Sequence, residues 1–164
     1  MSPDLDALRD ELNDWLDVLK SEVQSLVIDR HVFWEVQRII QNNKRIQIGS
    51  TFYGWMGSLY ASGMSVAVRR QVDEDTRSIS FINFLKRIRS SPQLISRERY
   101  KKLFTAATYP KGWADACFDD LVGKGQEYID SAAVTKEIEV LKDRTQHLAK
   151  FVNKRIAHRD QQDF

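Results

Sequence analysis

The chain reads as an all-α fold, a helical bundle of five to seven helices in a single domain over residues 1–164. Three observations predict it. Seven Gly and three Pro in 164 residues leave too few turn residues for the many short strands of a β fold. Apolar residues recur at three- and four-residue spacing along most of the chain, the period of a helix face. No internal repeat, low-complexity tract or linker breaks the pattern. A composition of 42% hydrophobic and 29% charged residues can bury a core and stay solvated.

The first helix has Ser2 as cap, Pro3 at the first helical position, and Asp4 and Asp6 opposing the dipole. Leu5, Leu8, Leu12, Trp15, Leu19, Val23 and Leu26 form its apolar stripe, with Asp10, Asp14, Asp17 and Lys20 on the opposite face. Asp29 marks a candidate break. Val32, Phe33, Val36, Ile39 and Ile40 then continue the stripe to Asn42-Asn43. Residues 46–68 carry no charge and lie between Lys44-Arg45 and Arg69-Arg70. Their length suits a membrane span, but Gln47, Ser50, Thr51, Ser58, Ser62, Ser65 and the glycines dilute the apolar content. Basic residues at both ends set no orientation. A buried central helix is the better reading, with Gly54, Ser58, Ala61 and Ser65 as a small-residue stripe for close helix approach, and Tyr53, Trp55 and Tyr60 in the core. A helix without charge on any side is expected to be covered on most sides.

Residues 69–78 read as a helix end, a polar turn and a new start capped by Asp75 or Ser78. The alternating signs of Arg69, Asp73, Asp75 and Arg77 suit an ion-pair network pinning this corner, with phosphate contact as the other role. Ile79, Ile82, Leu85 and Ile88 give the next helix its face, and Ser90-Ser91-Pro92 stops it. Ser96 caps a short helix carrying Tyr100, Leu103, Phe104 and Ala107. Tyr109-Pro110-Lys111-Gly112 is a loop. Trp113, Phe118 and Leu121 mark another short helix, ended by Gly123-Lys124-Gly125, which lacks the spacing of a phosphate loop. The last helix runs from about Ser131 to His158, with Val134, Ile138, Leu141, Leu148 and Val152 as its seam.

Charge is unevenly placed. Residues 1–42 hold nine acids and four bases; the rest hold fourteen acids and twenty-one bases. A basic majority is compatible with nucleic acid, far short of a histone-like excess. One cysteine, Cys117, excludes an internal disulfide and points to a reducing cytoplasm. With no histidine near it in sequence, Cys117 reads as an inert thiol rather than a nucleophile. The Met-Ser-Pro-Asp start is not that of a signal peptide. Three scattered histidines give no metal-ligand spacing, and no cofactor is expected.

The segment most suited to chemistry is Asn153-Lys154-Arg155-Ile156-Ala157-His158-Arg159-Asp160. Helix geometry aligns Arg144, His147, Phe151, Lys154 and His158 on one face. His158 has Lys154 one turn back and Arg155 three residues back, a proton-transfer group beside phosphate anchors. The same residues also suit a solvated helix end, because Lys and Arg oppose the dipole there. His147 and His158 are roughly 16 Å apart along one helix and can share a site only across a two-fold dimer axis.

The terminal segment resembles the end of the signature helix of HEPN-domain proteins. Arg69-Arg70-Gln71-Val72-Asp73 through Arg77-Ser78-Ile79-Ser80 resembles a marker stretch of an abortive-infection subgroup of that superfamily. The resemblance implies a HEPN-like helical bundle that forms a homodimer with two signature helices facing each other. It implies a phage-defence or toxin–antitoxin setting, with an antitoxin or nucleotidyltransferase-like partner. Many members are metal-independent endoribonucleases; others bind RNA, nucleotides or proteins without catalysis. Active members carry an Arg, often followed by Asn, Asp or His, with a histidine four to six residues beyond the Arg. Carried over, His158 is the proton-transfer residue, Arg155 and Lys154 hold phosphate, and Asn153 and Asp160 orient. Arg159, Arg69 and Arg70 add RNA-binding charge. This chain departs from the pattern at Val152, which stands where the Arg is expected.

Overall fold

The computed structural model describes residues 5–104 and 109–151, and side chains for all of these except 149–151. The described chain is all-α. The helices are α1 (Leu5–Asn42), α2 (Thr51–Gln71), α3 (Phe81–Ser90), α4 (Arg97–Lys102), α5 (Trp113–Val122) and α6 (Ser131–Phe151), with a 3₁₀ turn at Pro92–Leu94. Among the described residues there is no strand, only one isolated bridge between Ser96 and Tyr128.

The 38 residues of α1 run without a break, about 57 Å at the helical rise. The candidate break at Asp29 does not occur, since an exposed Asp in a helix interior costs only a few tenths of a kcal/mol. The expected cap Ser2 and Pro3 lie outside the described residues. Asn43 ends the run, its backbone carbonyl taking the amides of Ile46 and Gln47. Helix α2 then returns antiparallel along the second half of α1. Ser50 caps it by accepting from the Phe52 amide. Phe33 and Tyr60 stack face to face between the two helices, centroids 3.8 Å apart. The Tyr53 hydroxyl donates to the Ile46 carbonyl at 2.8 Å. At the other end of the pair, the Glu22 carboxylate accepts from Arg70 and from the buried Gln71.

The core lies elsewhere, where α6 packs chiefly on α3 and secondarily on α2. Ile82 and Ile88 of α3 meet Val134 and Ile138 of α6, and Val72, Leu85, Ile95 and Ile129 close around them. The spacings explain the meeting, since Ile82, Leu85 and Ile88 step along one side of α3 at three residues and Val134 and Ile138 share a face of α6 at i, i+4. A second cluster surrounds fully buried Phe118 of α5, with the Tyr100 ring 5.4 Å away and the Arg97 guanidinium 4.9 Å over its face. Arg97 also bonds Asp119 at 2.5 Å and the Gln126 carbonyl at 2.8 Å. Those contacts hold the loop after α5, whose Gly123 at φ +101° adopts a backbone that side-chain-bearing residues avoid.

Two sequence expectations are corrected here. The cap of α3 is Ser80, accepting from the Asn83 amide at 3.2 Å, rather than Asp75 or Ser78. Those two are spent inside the turn, with Asp75 on Arg77 and Ser78 on Asp73. The larger correction concerns α2. It is not buried on most sides: Trp55 is 58% exposed, Phe52 56% and Leu59 53%. Of the expected small stripe, Ser65 is buried, while Gly54, Ser58 and Ala61 are exposed. A Cβ added at Gly54, Gly57 or Gly63 would meet nothing within 4 Å. Among the described elements α2 packs on α1 and α6 alone to any extent, so its remaining faces have no cover. No described helix is long and apolar enough to cross a membrane.

Candidate functional site

Of the candidate site, the described residues hold the C-terminal end of α2 with Arg69 and Arg70, the turn 72–80 that follows it, and α6 up to Phe151. The turn is a closed hydrogen-bonded corner. Arg69, in the last turn of α2, pairs with Asp73 at 3.5 Å. The Asp73 carboxylate also accepts from the Ser78 hydroxyl at 2.9 Å and the Asp75 amide at 3.3 Å. The Ser80 hydroxyl donates to the Asp73 carbonyl at 2.5 Å while capping α3. Asn83, buried in α3, reaches back to the carbonyls of Asp75 and Ser78 at 2.7 and 3.0 Å. Burial works to raise the Asp73 carboxyl, but Ser78, the Asp75 amide and Arg69 outweigh it and hold it below the ordinary carboxylate range.

Glu74 joins this corner to two helices. It accepts from Lys142 of α6 at 2.7 Å and from Lys86 of α3 at 2.8 Å. The Lys142 bond first, and the Lys86 bond second, hold its carboxyl below the usual value. Between corner and α6 lies a hollow of about 340 Å³, lined by Arg69, Asp73, Glu74, Lys142, Thr145 and Gln146 among others. Its charge, three carboxylates counting Asp75 against two cations, is the reverse of what a phosphate site needs.

The eight sequence-predicted site residues divide sharply. Arg69 is half-buried and engaged by Asp73. Arg70 is exposed and engaged by Glu22 of α1. The two point to different partners and are not brought into one site. Asn153, Lys154, Arg155, His158, Arg159 and Asp160 lie outside the described residues, as does Val152. Helix α6 is described up to Phe151, three residues short of Lys154. Arg144 and His147 of the aligned row are both exposed. Sequence reasoning found the Arg69–Asp73 and Asp75–Arg77 pairs, because these are local. It missed Glu74, Lys86, Lys142, Ser80 and Asn83. The Glu74–Lys142 pair spans 68 residues, and nothing in local spacing signals it. Ser80 carried a signal, a serine immediately before the apolar period of α3.

Cys117 is half-buried. Among the described residues, no three His, Cys, Asp or Glu side chains are grouped to hold a metal ion. No family model, curated protein or solved structure matches this chain.

Proposed function

We propose that the chain is a HEPN-like protein of phage-defence or toxin kind, acting as a metal-independent endoribonuclease with His158 as its proton-transfer residue. In this reading His158 takes the proton from a ribose 2′-hydroxyl as that oxygen bonds to the adjacent phosphorus. The bond from phosphorus to the 5′-oxygen breaks, and the leaving oxygen receives the proton. Arg155 and Lys154 hold the phosphate, Asn153 and Asp160 orient, and Arg159 adds basic charge. The protein acts as a homodimer on RNA, with an antitoxin or nucleotidyltransferase-like partner.

One observation supports the reading most. The two stretches that carry the HEPN resemblance are far apart in sequence, yet the helix that precedes one of them in the chain is bonded to the turn formed by the other. Glu74, inside the Arg69–Ser80 stretch, pairs with Lys142 on α6, and α6 is described up to Phe151, two residues before Asn153 in sequence. Arg69 and Arg70 contribute through position here, since a phosphate contact would have to displace Asp73 or Glu22.

The second reading is a non-catalytic HEPN-like module that binds RNA, a nucleotide or a protein. Val152 at the expected Arg position favours it. RNA cleavage in the presence of a chelator, by wild type against His158→Ala, separates the two. Cleavage that His158→Ala slows by roughly 10²–10⁴-fold fits the first. Undiminished cleavage by the variant removes His158 from the mechanism. No cleavage by wild type, with RNA binding that weakens steeply with salt, fits the module.

A further inference from the structure

We infer that the seam between α1 and α2 holds a binding site for a small primary amine with an aromatic body, its ammonium seated on Asp29. The proposal does not depend on the nuclease reading, because amine binding and RNA cleavage are separate measurements.

The antiparallel register of the two helices builds the site. Gln71 meets Glu22, and Tyr60 meets Phe33. The two contacts lie the same number of residues apart on each helix, so Asp29 comes level with Gly63 and Met64, and Leu26 with Ala67. Gly63 and Ala67 are small, and a Cβ added at Gly63 would meet nothing within 4 Å. The seam is therefore open beside the acid. Two hollows lie along it, and Asp29 lines both. The larger, about 400 Å³, is otherwise apolar and aromatic, walled by Phe33, Val36, Met56, Tyr60 and Met64 among others. Its volume falls within the range of small-molecule sites, and methionine sulfurs beside stacked rings suit an aromatic guest. The smaller, about 130 Å³, is polar, lined by Glu22, Ser25, Arg70 and Gln71 besides Asp29. It has room for about four waters, or for one ammonium group.

The polar hollow calls for a donor. Gln71 is only 9% exposed. Its Nε2 donates to Glu22, which turns its Oε1 the other way, and that buried oxygen has no hydrogen-bond partner. Buried polar atoms are rarely left so. Arg70 is already spent on Glu22, and Asp29 makes no ion pair among the described residues. One carboxylate, the Ser25 hydroxyl and the Gln71 amide oxygen thus line one hollow with a single uncompensated charge. A primary ammonium, with three N–H donors and one positive charge, matches that set. An anion would face Asp29 and Glu22 together, and a neutral guest would leave Asp29 and Gln71 unmatched. Because the two hollows meet at Asp29, the cationic head and the apolar body belong to one molecule.

Titration calorimetry with tryptamine as the probe tests the proposal. Wild type binds it with a Kd of about 10–100 μM at low salt. Tryptophol, which carries a hydroxyl in place of the ammonium, binds roughly tenfold more weakly or worse. So does the N,N,N-trimethyl form of tryptamine, which keeps the charge and lacks the N–H groups. Asp29→Asn, at an exposed side chain, weakens tryptamine about tenfold and leaves tryptophol within about threefold of its wild-type affinity. Gly63→Leu fills the larger hollow where an added Cβ meets no neighbour, and leucine is the better helix former. That variant loses both ligands with unchanged far-UV dichroism. Absence of tryptamine binding to wild type overturns the proposal. Equal binding of tryptophol or of the trimethyl form does so too, as does tryptamine binding that is undiminished in Asp29→Asn or in Gly63→Leu.

Discussion

The α3–α6 layer and the α1–α2 pair are both built from apolar helices, yet they end in opposite states. Ile82, Ile88, Val134 and Ile138 are all below 5% exposed. Phe52, Trp55 and Leu59 are more than half exposed. The difference lies in what accompanies the apolar residues. In α3 and α6 they sit at helical spacing against a charged back, with Lys86, Arg87 and Arg89 on α3. One face is thereby told to go inside and the other to stay out. From Thr51 to Val68 of α2 the charges are absent all round, and no face is told to stay out. Absence of charge leaves every face of a helix open to being covered without specifying by what. Burial within one chain was the simplest inference from that pattern, and for this face it is wrong among the described residues.

Truncation separates the two regions most strongly. Ile82→Ala or Phe118→Ala removes a side chain that is fully enclosed and leaves a cavity, costing about 3–4 kcal/mol. For a chain of this size that is a fall of roughly 8–14 °C in the melting midpoint. Trp55→Ala or Leu59→Ala, at side chains more than half exposed, changes stability by less than about 1 kcal/mol. Thermal unfolding followed by dichroism distinguishes the two behaviours. Equal losses at Phe118 and Trp55 would mean that the hairpin face is covered within one chain.

The same contrast sets how much was legible in the sequence. The helix order, the ends at Asn42 and Ser90, the Ser96 cap, and the seam residues Val134 and Ile138 could all be read, because each depends on neighbours within a few positions. The Arg69–Asp73 corner was legible for the same reason. Glu74 was not, since its meaning comes from Lys86 and Lys142, brought near only when α3 and α6 pack. The exposure of Trp55 was not legible either, because it depends on which helices fail to reach α2. Of the candidate site, Arg69 and Arg70 are seen engaged by carboxylates, and the residues from Asn153 onward lie outside the described part of the chain.

The corner gives effects of intermediate size. Asp73→Ala removes the acceptor of the Ser78 hydroxyl and the Asp75 amide, and leaves Arg69 without its carboxylate. The expected cost is about 1–2 kcal/mol. Ser80→Ala loses the cap of α3 and a hydrogen bond to the Asp73 carbonyl, about 1 kcal/mol. These residues share one network, so the double variant is expected to cost less than the two singles combined. Urea unfolding of the three proteins measures this. Strict additivity would show that the corner is a set of separate bonds rather than a unit.

The smallest expected effect is the pH dependence carried by Glu74. Its folded-state pKa is lowered from 4.5, by Lys142 first and Lys86 second. The folded state therefore binds this proton less readily than the unfolded chain does. Its contribution to stability is complete above about pH 4.5 and is lost as pH falls through the lower folded-state value. The side chain is 48% exposed, so solvent screening keeps the contribution below about 1 kcal/mol at neutral pH. Glu74→Gln removes the charge and keeps the shape. The variant is expected to be slightly less stable than wild type at pH 7, and the difference to shrink as pH falls through the lowered folded-state value. Lys142→Met narrows the gap between wild type and Glu74→Gln without abolishing it, because Lys86 still holds the carboxylate. Urea midpoints for the four combinations at pH 7, 5, 4 and 3 measure the effect. A difference that persists unchanged at pH 3 would show that Glu74 acts through packing. The bond that ties the turn to α6 would then owe nothing to its charge.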